Sequence, residues 1–298
     1  MIFTAINSAA YRRDSFVLLS LILVATPLWA REPAESPQER RSACDRELGV
    51  RIGNEGKDVI WVPTHDKLTT AMLAAAATTP HDYVVDLGAG DGKIPIAAAK
   101  EFGAKALGIE YDSDMVRLAQ CYVRAEDLAD RVEIRQADIF RTDISEATVV
   151  TAYLLPKLNM KLRPMLLALA PGTRVVSNRF KFGQWHPDRT ITVEGVANQA
   201  YLWYVPARVA GTWRFESETT PGESFRVRFD QRFQKIRARL LAERHRKIGT
   251  VKLVGRDIEI SLRSSKQTLR LFGRVADEDI QLSGSADGDE VRYVGRRQ

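Results

Sequence analysis

The chain has 298 residues, 45% apolar and 28% charged, an ordinary globular balance that excludes wholesale disorder and allows one large domain or a medium one beside a small one. Two cysteines (Cys44, Cys121) and four scattered histidines (His65, His81, His186, His245) give neither a disulfide framework nor metal-ligand spacing, so no metal is expected. The net charge of +6 is uneven: residues 206–298 hold 20 Lys and Arg against 13 Asp and Glu, and residues 1–205 hold 24 against 25, so an acidic partner or a membrane surface is expected for the C-terminal third, against the plainer reading of a solvated basic face, and no nucleic acid.

At the N-terminus, Arg12 and Arg13 precede the apolar run FVLLSLILVATPLW (16–29), which Ala30 and the polar REPAESPQERR close. That order matches a secretory signal peptide over 1–30, cut after Ala30. The 14-residue run is short of the ~20 residues a spanning helix needs, so an uncleaved anchor is the second reading. Export or membrane association is therefore expected, with a domain facing the cytoplasm still open. Residues 31–56 are charged, contain proline and lack periodicity, and read as a linker. Cys121, within a helical pattern, reads as a buried thiol.

From residue 57 strand and helix patterns alternate. DKLTTAMLAAAAT predicts a helix with Leu68, Met72 and Leu73 on one face and Thr64 as candidate N-cap. Strands are predicted at 83–88, 104–110, 131–138, 148–155 and 172–180, with helices at 93–102, 113–128 and 156–171 between them. Two further strands, 189–196 and 200–207, have a short connection and predict an antiparallel hairpin. Five parallel strands closed by such a hairpin give the order of a Rossmann-like class I methyltransferase sheet, not of the symmetric dinucleotide-binding fold. After Pro206 seven short strands separated by turn signals predict a small all-β antiparallel sandwich or barrel over 206–298. Within it, 225–241 is read as one long bent strand, with a basic amphipathic helix as the alternative.

The sharpest motif is VVDLGAGDGKI (84–94), a glycine-rich turn where the first strand meets its helix. Gly88, Gly90 and Gly92 allow a tight turn and close approach of a ligand to main-chain N–H groups. The dinucleotide fingerprint wants a small residue where Lys93 stands. Asp86 and Asp91 would repel a pyrophosphate but suit the ammonium and sulfonium charges of S-adenosylmethionine (SAM), although Lys93 tempers that argument. Glu110 ends the second strand, 24 residues after Asp86, where a carboxylate can accept both ribose hydroxyls. Asp138 ends the third and can accept from the adenine amino group, with Tyr111 or Ile139 flanking the ring. Three carboxylates at successive strand ends around one glycine turn point to a SAM site.

Residues 57–180 resemble the ATP synthase c-subunit lysine methyltransferase family. The resemblance rests on VPT (62–64), VDLGAGDGKI (85–94), GIEYD (108–112), Ala137-Asp138-Ile139-Phe140 and the AYLLP to SNRF block (152–180). It implies a protein-lysine N-methyltransferase, with Thr64 among the cofactor residues and in-line transfer to a deprotonated amine in an apolar channel. The loop after the fourth strand reads Ala152-Tyr153-Leu154-Leu155-Pro156 and departs from the Asn/Asp-Pro-Pro-Tyr of many N-methyltransferases. Tyr153 is then the candidate for the acceptor side. Phe180, Phe182, Trp185 and Tyr201 form either an aromatic channel wall or ordinary core. Two other functions stay open: methylation of a small molecule or lipid, and an exported ligand-binding protein with a vestigial methyltransferase domain. Gly211-Thr-Trp213, similar to the opening of lipocalins, favours the latter.

Overall fold

Runs such as VVDL and VVTA are apolar at nearly every position because both faces of the strands they form are covered. The computed structural model describes residues 35–49, 61–242, 246–265 and 267–298; the signal peptide or anchor expected over 1–30 lies outside the described residues. Strands β1 (Tyr83–Leu87), β2 (Lys105–Glu110), β3 (Val132–Gln136), β4 (Val149–Ala152) and β5 (Arg174–Asn178) pair in parallel. β6 (Arg189–Ile191) and β7 (Ala200–Tyr204) complete the sheet as an antiparallel hairpin, in the order β3-β2-β1-β4-β5-β7-β6.

Alternation sends Val84 to one face and Val85 to the other. On the first face pack α2 (Asp66–Ala75), α3 (Lys93–Phe102) and α4 (Ser113–Ala125), through Leu68, Met72, Leu73, Ala98 and Ala119. On the second, α5 (Pro156–Leu166) contributes Leu162 and Leu166 beside Trp185 and Trp203. The strand order reverses between β1 and β4, so their C-terminal ends open the crevice where α/β sheets bind ligands. The N-cap of α2 is His65, whose Nδ1 accepts from the Lys67 N–H at 3.2 Å, and not Thr64 as the sequence suggested.

Part of the expected linker is instead helical. Residues Pro37–Leu48 form α1, opened by a reciprocal capping box between Ser36 and Glu39 and closed by Gly49 at φ 61°. Cys44 is joined to Cys121 of α4 in a disulfide, which corrects the reading of Cys121 as a buried thiol and of the pair as unlinked. Cys44 packs with Met115, Leu118 and Ala125, the α4 stripe that faces away from the sheet. Arg40 bonds Asp127 at 2.6 Å and Arg41 bonds Glu126 at 3.2 Å. α1 buries one residue, so it has no apolar periodicity to read; a covalent bond and ion pairs hold it.

Among the described residues beyond Pro206 there are eight strands: β8 (Gly211–Ser217), β9 (Ser224–Arg232), β10 (Lys235–Leu241), β11 (Arg246–Val254), β12 (Asp257–Ser264), β13 (Thr268–Val275), β14 (Asp279–Ala286) and β15 (Asp289–Arg297). The eighth arises because the expected long bent strand is a hairpin, turned at Phe233 (φ 56°) and Gln234 with Arg232 opposite Lys235. The sheet runs β10-β9-β8-β15-β14-β13-β12-β11, and its two end strands, β10 and β11, lie side by side without a ladder, giving a barrel-like meander. Its interior is filled by Trp213, Phe215, Phe225, Phe229, Ile260, Leu271 and Tyr293, as eight strands allow. Both sheets belong to one unit, Ser36–Gln298. Gln234 donates to the His186 carbonyl at 2.6 Å, Phe233 stacks on Trp185 at 6.4 Å, and Arg256 donates to the Pro171 carbonyl at 3.2 Å.

Candidate active site

The glycine turn is shaped by backbone that only glycine adopts without strain: Gly88, Gly90 and Gly92 have φ of 78°, 55° and 75°. The Gly88 and Ala89 N–H groups both donate to the Ile109 carbonyl, at 2.9 and 3.0 Å, which fastens the turn to β2. Above it lies Trp61, so close that a Cβ on Gly90 would sit 2.5 Å from Nε1. This turn, the ends of β1 to β4 and the segment entering α2 enclose a cavity of about 830 Å³.

Asp86, Glu110 and Asp138 all line that one cavity, as do Thr64, Gly88, Gly90, Asp91, Tyr111, Ile139 and Tyr153. Gly92 does not. It caps α3 from beneath, where a Cβ would meet Ala119 and Ile134 at 3.1 and 3.3 Å, so its small size serves helix-to-strand packing.

Each carboxylate is held differently. Glu110 accepts from Gly90 N–H through Oε2 at 2.9 Å and from Tyr111 and Asp112 N–H through Oε1 at 2.7 and 2.9 Å. Asp138 accepts from Phe140 N–H at 2.9 Å. Asp86 is buried, with Thr151 Oγ1 donating at 2.7 Å. Burial pushes its carboxyl up to about 8, against the Thr151 hydrogen bond and with help from Glu110 and Asp91. Burial likewise raises Asp91, with Lys93 opposing. The Lys93 ammonium bonds Asp66 of α2 at 2.7 Å, so most of its charge is committed there. Six carboxylates (Asp86, Asp91, Glu110, Asp112, Asp114, Asp138) line the cavity against three cations (Lys93, Lys161, Arg179). Even with Asp86 held protonated by burial, carboxylates outnumber cations, so the site favours a positively charged ligand over a pyrophosphate.

The ANTKMT methyltransferase domain matches residues 86–189. A protein-lysine N-methyltransferase of Saccharolobus islandicus is 43% identical over 150 residues, covering 49% of this chain and 93% of that protein. The chain belongs to the protein-lysine N-methyltransferase family, among the class I methyltransferases. The mouse ATP synthase c-subunit lysine N-methyltransferase is 33% identical over 114 residues, 38% of this chain and 45% of its own length, so the chain spans about half of that relative. A solved structure from Salinibacter ruber, described as an RNA methyltransferase in complex with S-adenosyl-L-homocysteine, is 48% identical, covers 50% of this chain and 96% of its own, and has a TM-score of 0.48. The methyl donor of the family, SAM, is the cofactor, and the acid-lined cavity fits it.

In this methyltransferase the cavity wall at Tyr153, the residue expected on the acceptor side, is supported by residues far apart in sequence. Tyr153, after β4, accepts a hydrogen bond from Asn198 Nδ2 at 3.3 Å. Asn198 lies between β6 and β7, so a polar side chain of the hairpin holds the Tyr153 hydroxyl, and no spacing rule announces it. Of the four aromatics, Phe180 lines the cavity, Phe182 and Trp185 are fully buried beside Trp203, and Tyr201 is partly buried beneath Lys181. No local pattern points to Trp61 or to Lys161, whose Nζ sits 3.7 Å from the Phe140 ring centroid. Asn178, at the end of β5, donates to Thr64 Oγ1 at 3.2 Å and so orients that hydroxyl at the cavity wall.

Proposed function

We propose that the chain transfers a methyl group from SAM to the ε-amino group of a lysine in a protein acceptor. The observation that carries this reading is the convergence of Asp86, Glu110 and Asp138 on one cavity, in a chain of this family. Asp86 would take the methionine ammonium, Glu110 the ribose hydroxyls and Asp138 the adenine amino group, with Tyr111 and Ile139 flanking the ring. Gly88 and Gly90 hold the tight turn that would border the methionine portion. Thr64, whose oxygen already accepts from Asn178, has its own proton to give to a ligand.

When bound, SAM supplies an electrophilic methyl on a sulfonium. The acceptor would have to present its amine to that methyl in the neutral form. Deprotonating a lysine of ordinary pKa at pH 7 costs about 5 kcal/mol. Leu155, Leu158 and Phe180 make the acceptor side apolar, and Lys161 and Arg179 add positive charge there. Both features favour the neutral amine, so no dedicated base is required. Tyr153, already an acceptor from Asn198, is the group placed to orient it.

The partner and compartment belong to the same proposal. The acceptor is a protein, and the basic barrel engages an acidic partner or a membrane surface. The chain is exported or membrane-associated through its N-terminal segment; the Cys44–Cys121 disulfide, a bond of oxidising compartments, supports this. Incubation with methyl-labelled SAM and cell extract tests the acceptor: methyl-lysine in hydrolysed protein is expected, and label confined to lipid, nucleic acid or small molecules refutes it. Fractionation tests the compartment, which an intact Met1 in the soluble cytoplasm would contradict.

A further inference from the structure

The outer wall of the barrel sets like charges against one another. Arg226 of β9 lies opposite Arg214 of β8, and Arg214 lies opposite Arg296 of β15. Two residues along β9, Arg228 lies opposite Arg239 of β10. All five are exposed, and β10 adds exposed Lys235 and Arg237. Compensation is partial. Arg214 bonds Glu216 at 2.9 Å, and Arg228 and Arg239 share Asp230 at 3.7 and 3.4 Å. Neither Arg226 nor Arg296 has a carboxylate partner among the described residues. Like charges directly opposite on neighbouring strands oppose folding. Packing therefore gives no reason for this row.

We propose that the outer face of β10, β9, β8 and β15 docks onto a bilayer bearing anionic phospholipids. Guanidinium groups bind phosphate oxygens through two parallel N–H bonds, which suits a headgroup layer. The outward positions of β8, β9 and β10 carry no aromatic ring, so the stacking platform that single-stranded nucleic acid uses is missing. Charge alone fits an acidic polypeptide equally well. The 14-residue apolar run at 16–29, read as a signal peptide or an uncleaved anchor, brings the chain to a membrane in either case, and on that reading the bilayer is the acidic surface a basic face meets there. This inference rests on the proposed membrane association and not on the methyl-transfer chemistry.

The test uses the full chain and vesicles of phosphatidylcholine, with and without phosphatidylglycerol, in a sedimentation assay at low and high salt. The wild type is expected to prefer the anionic vesicles and to lose that preference in high salt. Substituting Arg214→Gln, Arg226→Gln and Arg296→Gln together should weaken anionic binding roughly 100-fold, at about 1 kcal/mol per arginine, and leave phosphatidylcholine binding unchanged. Its thermal midpoint should hold or rise, because repulsion is relieved. The single variant Arg226→Gln should lose about fivefold and serves if the triple variant folds poorly. Methylation of a soluble peptide should be unaffected in both. The proposal is overturned if the wild type shows no anionic preference or the variants keep it. It is also overturned, in favour of protein docking, if the variants lose binding to an acidic acceptor protein while vesicle binding stands.

Discussion

Asp86 makes cofactor binding a proton-linked event. In the ligand-free protein burial raises its carboxyl to about 8, so at pH 7 the group is about 90% protonated. A cationic ligand beside it favours the ionised form, and binding must expel that proton. The cost at pH 7 is one unit, about 1.4 kcal/mol, and affinity should climb roughly 50-fold from pH 6 to pH 8 as the competent fraction grows. Calorimetry of SAM binding at pH 7 in two buffers of different ionisation enthalpy should report release of about 0.9 proton. Asp86→Asn should abolish the release and weaken binding. The ligand-free variant should also be more stable than wild type. With the folded pKa above the ordinary 3.8, Asp86 costs the fold stability as pH rises from about 4 to about 8, and the gap should close toward pH 4. Binding without proton exchange at pH 7, or an unchanged pH profile in the variant, would refute the reasoning.

Three further outcomes follow from particular contacts. Gly90→Ala would place a methyl 2.5 Å from Trp61 Nε1 at a φ of 55°, and SAM affinity measured by calorimetry should fall by more than about tenfold; wild-type affinity would show that Trp61 does not cover the site. Tyr153→Phe removes the hydroxyl that Asn198 holds, so kcat should drop by about tenfold while SAM affinity stays within about twofold; a loss of affinity instead would move Tyr153 to the cofactor side. Cys121→Ser opens a link spanning 77 residues, and the loop-closure model puts the loss at up to about 4.5 kcal/mol; equal thermal midpoints with and without reductant would contradict a stabilising bond.

The sheet was legible because its strands and helices keep strong local patterns, and the 93–102 helix falls where its residues predict. The glycine turn and the acids at the ends of β1 to β3 were legible for the same reason: strand ends converge, so sequence position translates into place. α1 was not, because a helix that buries Cys44 alone shows no stripe. The β9–β10 hairpin was misread because Phe233, not glycine, takes the left-handed position at its turn. At the cavity wall, Asn198 reaches Tyr153 from 45 residues away and Trp61 lies against Gly90, and no local pattern encodes either contact.

A structure of the full chain bound to S-adenosylhomocysteine tests the central claim most directly. The account predicts the ligand's amino group against Asp86, its ribose hydroxyls on Glu110 and its adenine between Tyr111 and Ile139 near Asp138. A ligand bound elsewhere, or one that leaves any of these three carboxylates without contact, would contradict it.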